Sequence, residues 1–113
     1  MEKTGNKKLD AYLGFCIRSG KITFGVDDAE KQKKGVFLLI ADEGLGESSF
    51  KTLLKVKQKF ACPTLIAEKG VLGERLHRPA VKAVAIKDKN LAEAILSVID
   101  GEPQFKIYSG GNN

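Results

Sequence analysis

One segment in the first third of the chain combines glycines with charged side chains at a predicted helix start. Gly25 is followed by three charged residues at helical spacing, Asp27, Asp28 and Lys31. A glycine before a helix lets another backbone approach the free N–H groups of the first turn. Carboxylates there can accept hydrogen bonds from bases, and Lys21 can meet phosphate. The segment predicts a recognition edge, although charges that merely satisfy the helix dipole would give the same pattern.

The residues that could support catalysis or metal binding do not form a recognisable set. His77 is the only histidine, and no motif places a nucleophile beside it. The loop 42–46 contains two glycines but lacks the spacing of a phosphate-binding loop, and its Asp42 and Glu43 would repel phosphate. We therefore predict no catalytic residue and no cofactor. An enzymatic site around Asp42, Glu43 and His77 is the weakest of the alternatives.

The two cysteines, Cys16 and Cys62, are far apart in the sequence and do not belong to a CxxC pair. Cys16 lies among apolar helical positions, and Cys62 precedes a predicted strand. Two buried thiols are the simplest interpretation. One histidine and two distant cysteines cannot form a typical zinc site, so we predict no metal.

Size and charge limit the possible partners. The chain has 113 residues, enough for one domain, with a net charge of +5 and a pI of about 9.3. This balance favours an anionic partner, nucleic acid before a membrane surface. No apolar run approaches the roughly 20 residues that span a bilayer. The charged segment 1–8 does not resemble a signal peptide, so we expect a cytoplasmic protein.

Helical periodicity alternates along the chain with short apolar runs. Glycine and proline separate these segments, and Asp88 or Asn90 is expected to cap the last helix. The predicted helices are 7–18, 26–33, 47–60, 71–76 and one from about 88 to 100, and the predicted strands are 22–24, 36–41, 64–67 and 81–86. This alternation predicts an α/β fold, a three-layer α/β/α sandwich around a small sheet. Residues 1–101 form one domain, and 102–113 form a polar tail, disordered beyond about Tyr108.

Exposed lysines also recur on the third predicted helix. Lys51, Lys55 and Lys59 are four residues apart and lie opposite its apolar face. Such a stripe could follow a phosphate backbone, but it is more typical of a solvated helix face.

Several short motifs, taken in order, resemble the kink-turn-binding ribosomal protein family (the L-seven-Ae and L-thirty-e proteins), and the small bacterial YlxQ-type members in particular. The similarity extends from about Leu9 to Ile99. The motifs that carry it are Leu13-Gly14, Arg18-Ser19-Gly20-Lys21, Gly25, the strand 36–42, Leu72-Gly73, and Arg78-Pro79 followed by the strand 81–86.

The resemblance implies a four-stranded mixed sheet and binding of sharply bent RNA without catalysis. In the family, a Gly-x-Asn-Glu-x-x-Lys segment reads sheared G·A pairs, and a second loop, here 77–80, grips a flipped-out base. The RNA-binding residues that this implies are Lys21, Gly25, Val26, Asp27, Asp28, Lys31, Arg78 and Pro79.

Two residues depart from the family pattern. Asp27 replaces an asparagine, and an ionised carboxylate only accepts hydrogen bonds where an amide also donates them. His77 stands about where the family has a second glycine. Both departures affect the RNA-facing edge, whereas the core pattern remains.

The expected function is therefore non-catalytic RNA binding in a monomeric cytoplasmic protein. Its partners would be structured RNA, the ribosome or other translation proteins, without a membrane. The alternative is a protein-interaction module on the same fold in which RNA binding is weakened or lost.

Overall fold

The computed structural model describes residues 5–109, with side chains from residue 8 onward. The helices are α1 (Gly5–Arg18), α2 (Val26–Lys31), α3 (Glu47–Phe60), α4 (Val71–Leu76) and α5 (Lys89–Val98), and a 3-10 turn (Ile99–Gly101) follows α5. The strands are β1 (Ile22–Phe24), β2 (Leu38–Asp42), β3 (Thr64–Ala67), β4 (Ala83–Ile86) and β5 (Phe105–Ile107). Two expectations concern the ends of the chain: that segment 1–8 is not a signal peptide, and that the chain is disordered beyond about Tyr108. The residues that these expectations mainly concern, 1–4 and 110–113, lie outside the described residues.

The strands form one mixed sheet in the order β1-β4-β2-β3-β5. β2 and β3 are parallel, and the other three pairs are antiparallel. The expected four-stranded sheet is wrong by one strand. The additional strand, β5, lies in the segment expected to be a polar tail and pairs with β3, with Leu65 opposite Ile107. Tyr108 continues this pairing, because its N–H donates to the Thr64 carbonyl over 2.8 Å.

The central strands are mostly apolar because both faces of the sheet are covered by helices. On β2, Leu38 and Ile40 point into a core that includes side chains from α1, α4 and α5. Leu39 and Ala41 point into the opposite core, which includes side chains from α2 and α3. This alternation confirms the predicted α/β/α sandwich and explains why the sequence shows a continuous apolar run here.

The second helix is shorter than predicted. α2 ends at Lys31 because Gln32 adopts an extended conformation, with φ −66° and ψ 138°. The ammonium of Lys59 lies 2.6 Å from the Gln32 carbonyl oxygen and 3.5 Å from that of Glu30. A cation there satisfies carbonyl groups that have no partner within the helix.

The two thiols lie in opposite layers of the sandwich. Cys16 belongs to the core beside α1, and Cys62 belongs to the core beside α3. Both are free and buried, as the sequence predicted, and the sheet between them keeps them from pairing. Between residues 5 and 109, no helix combines the length and the apolar character that a membrane span requires.

Candidate nucleic-acid interface

The turn between β1 and α2 depends on a glycine conformation. Gly25 has φ 88° and ψ 155°, a region that is essentially restricted to glycine. Its N–H donates to the Ala83 carbonyl over 2.8 Å, which fixes the turn to β4. A Cβ built on Gly25 would meet no atom within 4 Å. Glycine is therefore required here by the backbone angles, and the space beside it remains open to a ligand.

The loop that follows α4 is held by close contact between backbones. The Arg78 N–H donates to the Gly73 carbonyl over 2.9 Å. His77, at the end of α4, has φ 58° and ψ 35° and is therefore left-handed. A histidine thus occupies a backbone conformation that favours glycine.

The two predicted recognition segments lie side by side. The guanidinium carbon of Arg78 is 4.5 Å from the centroid of the Phe24 ring, at the end of β1. Phe24 precedes Gly25, so this cation–π contact joins the loop after α4 to the β1–α2 turn. The antiparallel pairing of β1 with β4 produces this arrangement, since Phe24 lies opposite Val84.

An open groove of about 460 Å³ lies at this end of the sheet. Its floor is the β1–α2 turn, and the start of β4 and the start of α3 form its walls. The lining residues are Phe24, Gly25, Val26, Asp27, Asp28, Leu45, Ser49, Ala80, Lys82 and Ala83. The groove therefore contains two carboxylates and one ammonium group next to the half-buried backbone of Gly25.

Some of the predicted site residues are exposed near the groove, and others are buried or lie elsewhere. Asp27, Asp28 and Lys31 are exposed on α2, and Pro79 is exposed in the loop after α4. The side chain of Val26 is only 8% exposed and packs in the core beside α3, so it supports the wall.

Lys21 is not part of the groove. It lies at the opposite end of β1, roughly 13 Å from Gly25 at the usual rise per strand residue. Its carbonyl accepts the Lys87 N–H over 2.8 Å, which places it at the far end of β4. Proximity in the sequence therefore did not bring Lys21 and Gly25 to one surface.

Sequence reasoning missed Lys82. This exposed residue lies in the groove because it directly precedes β4, whose first residue accepts the Gly25 N–H. The only signal in the sequence was its polar position within the alternating segment 81–86, which was predicted to be a strand.

Asp42, which the enzymatic alternative invoked, has a structural role. One carboxylate oxygen accepts the Gly44 N–H and the other accepts the Gly70 N–H, each over 2.6 Å. Asp42 is 2% exposed and so ties together the loops after β2 and β3. Within residues 8–109, no group of three or more His, Cys, Asp or Glu side chains is arranged to hold a metal ion.

A second cavity, of about 600 Å³, lies beside the edge strand β5. Phe50 and Tyr108 meet there edge to face, with their ring centroids 5.5 Å apart. Leu45 lines both this cavity and the groove. This cavity could not be predicted from the sequence because β5 was not predicted.

The fold is similar to that of a solved structure, a protein of unknown function from Bacillus halodurans. The two share 22% sequence identity with a TM-score of 0.71, over 82% of this chain and 97% of the other. At this identity the likeness shows the fold alone. No family model and no curated protein matches the chain.

Proposed function

We propose that the protein is a non-catalytic, cytoplasmic RNA-binding protein of the translation apparatus that binds structured, kink-turn-like RNA in the groove. The observation that carries the proposal is the contact between Arg78 and Phe24. It brings together the two segments whose sequence resembles the RNA-binding edge of the kink-turn family. Neither segment alone would form a surface large enough to hold a bent RNA.

The chemistry of the groove suits a folded RNA. Its exposed carboxylates, Asp27 and Asp28, can accept hydrogen bonds from guanine N–H groups on unpaired or sheared base edges. Lys82 lines the groove together with these two carboxylates, and Arg78 stands over the adjoining Phe24 ring. The two cations can meet phosphate, while the acceptors provide selectivity for bases.

The open backbone at Gly25 supports the same proposal. Because no atom lies within 4 Å of a Cβ position there, a nucleotide can approach the peptide directly. Gly25 itself is half-buried, and Asp27 and Asp28 beside it are exposed.

A binding experiment with a standard kink-turn RNA and a straight duplex of equal length tests the proposal. We expect tighter binding of the kink-turn and an affinity that falls with salt, since lysine–phosphate contacts release counterions. Arg78→Gln should weaken kink-turn binding about fivefold to tenfold. Lys55→Gln, an equal charge change on the exposed face of α3 outside the groove lining, should leave it nearly unchanged. No binding at low salt, or equal affinity for both RNAs, would contradict the proposal.

A protein-interaction module is the second candidate. The observation that favours it is the exposure of Asp27 and Asp28 without an ion-pair partner among residues 8–109. Two free carboxylates beside an aromatic ring can also receive a basic peptide. Pull-down after nuclease treatment separates the two functions, because a partner bridged by RNA is lost and a direct protein partner remains.

A further inference from the structure

Several basic residues lie together at the end of the sheet opposite the groove. We call this region the basic end and define it by Arg18, Lys21, Lys87 and Lys89. Lys21 and Lys87 lie on neighbouring strands and are joined by the 2.8 Å backbone hydrogen bond. Arg18 ends α1, and Lys89 begins α5. The connection into β2 adds Lys33 and Lys34, which are both exposed.

The two central lysines place like charges beside each other. Lys21 stands opposite Lys87 in the antiparallel register that pairs Ile22 with Ile86. Like charges opposite each other on adjacent strands repel. Within residues 8–109, no carboxylate lies within ion-pair distance of either lysine. Asp88, the nearest acidic residue in sequence, is committed to capping α5 through the Leu91 N–H over 2.9 Å.

Exposed aromatic rings flank this charge. Phe15 is 53% exposed and lies under the guanidinium of Arg18, with 5.0 Å between the guanidinium carbon and the ring centroid. Phe37 is 36% exposed, and its N–H donates to the Ile86 carbonyl at the start of β2. Lys21, Lys87 and Phe37 therefore follow one another across three adjacent strands, a span of about 10 Å.

We propose that the basic end is a second RNA-contact surface, which binds single-stranded RNA through its phosphates and stacks bases on Phe15 and Phe37. Cations that follow a backbone, together with exposed rings that accept any base, are the features that bind single strands without sequence preference. This surface is independent of the groove and shares with the proposed function only the class of ligand. It also accounts for the position of Lys21, which lies too far from the groove to serve it.

The probe is a labelled oligouridine of about 20 nucleotides, which cannot form a kink-turn. We expect wild-type protein to bind it at low salt and K21E/K87E to bind it at least about tenfold more weakly. The salt dependence of the double variant should also be shallower by about 1.4 in log–log slope, since each single-strand phosphate contact contributes about 0.7.

The matched control is K51E/K55E, which changes net charge equally on the exposed face of α3. It should change oligouridine affinity by less than about twofold. Equal losses in the two double variants would overturn the proposal, because net charge alone would then explain binding. Thermal melting of both variants establishes that each remains folded.

Two further outcomes separate this surface from its alternatives. Arg78→Gln in the groove should leave oligouridine binding unchanged, and a loss there would overturn the placement. Failure of kink-turn binding with oligouridine binding intact would remove only the groove function. The proposal is wrong if wild-type protein does not bind oligouridine. It is also wrong if the protein instead sediments with phosphatidylserine vesicles through Lys21 and Lys87.

Discussion

Gly73 in α4 lies so close to Pro79 that a Cβ atom at position 73 would stand 3.0 Å from the Pro79 Cα. The same Cβ would be 2.9 Å from the Arg78 carbonyl oxygen. Both neighbours are backbone atoms, which cannot move aside as the end of a flexible side chain can. The position of the loop that carries Arg78 therefore depends on the absence of a side chain in α4.

Gly73→Ala should destabilise the protein and displace this loop. Overpacking against backbone costs about 1–3 kcal/mol, offset by up to about 1 kcal/mol because alanine favours the helix more than glycine does. We expect a net loss of about 1–2 kcal/mol in urea unfolding, with weaker kink-turn binding. Gly101→Ala is the control, since a Cβ there meets nothing within 4 Å, and it should change stability by less than about 0.5 kcal/mol. Equal effects of the two substitutions would show that the close approach is not limiting.

His77 provides a test of backbone strain beside the same loop. A residue other than glycine in the left-handed conformation destabilises the folded protein by about 1–2 kcal/mol. Part of this stability is recovered because histidine has less conformational freedom than glycine in the unfolded chain. Because His77 is exposed, no buried contact is lost on substitution. His77→Gly should leave stability unchanged or raise it by up to about 1 kcal/mol, and His77→Val should lower it by more than about 1 kcal/mol. Thermal unfolding measures the relative stabilities of wild type and the two variants. A valine variant as stable as wild type would contradict the predicted order of stability.

Much of the fold could be predicted because its signals are local. The bounds of β1, α3, β3 and α4 agree with those predicted, since apolar periodicity and the adjoining glycines or Pro63 mark each of them. β5 was not predicted because an alternating pattern of only three residues is difficult to distinguish from a loop. It is held by pairing with β3, a contact between segments about 40 residues apart, which no local pattern records.

The candidate site was only partly predictable for the same reason. The requirement for glycine at position 25 follows from a local turn, and the sequence indicated it. The proximity of Arg78 to Phe24 depends on the β1–β4 register, as does the entry of Lys82 into the groove. Lys21 was grouped with Gly25 by sequence proximity, yet an extended strand of three residues separates them.

The proposed RNA binding can be tested by comparing substitutions at Asp27 and at its neighbour Asp28. Asp27→Asn adds a donor and removes a charge near phosphate, so kink-turn binding should tighten by about fivefold, roughly 1 kcal/mol. Asp28→Asn changes the net charge equally but removes a carboxylate that matches the family's acidic residue, so it should weaken binding. Filter binding measures both variants. If both tighten equally, long-range charge explains the effect, and weaker binding by the Asp27 variant would contradict our account of this departure.

A buried ion pair ties α4 to the segment that leads into β5. One Arg75 nitrogen lies 2.7 Å from the Glu102 carboxylate, which is 1% exposed, and the other lies 3.2 Å from Asp10, which is 48% exposed. Arg75→Met should cost about 3–5 kcal/mol because it leaves Glu102 buried without this cation. Adding Glu102→Leu should recover part of the loss, and Asp10→Asn should cost less than about 1 kcal/mol. Urea unfolding of this double-mutant cycle measures the coupling, and strictly additive effects would contradict it.

Cys16 should make stability depend on pH in the alkaline range. Burial, and secondly the charge of Asp88, raises the pKa of Cys16 to about 11, against about 8.5 in an unfolded chain. The folded protein therefore retains a proton that the unfolded chain loses. The resulting stability is fully present below pH 8.5 or so and is lost as the pH rises towards 11, a change of about 3 kcal/mol.

The comparison that isolates this effect is between wild type and Cys16→Ala, in urea unfolding measured from about pH 8 to 11. All other ionisable groups are common to both proteins, so only the difference between the two slopes reports the thiol. The alanine variant should lose less stability across this range. Burial also raises the pKa of Cys62, so Cys62→Ala should flatten the profile in the same direction. Parallel profiles for wild type and Cys16→Ala, or rapid labelling of Cys16 by a thiol reagent in the folded protein, would show that this thiol ionises as readily as in the unfolded chain.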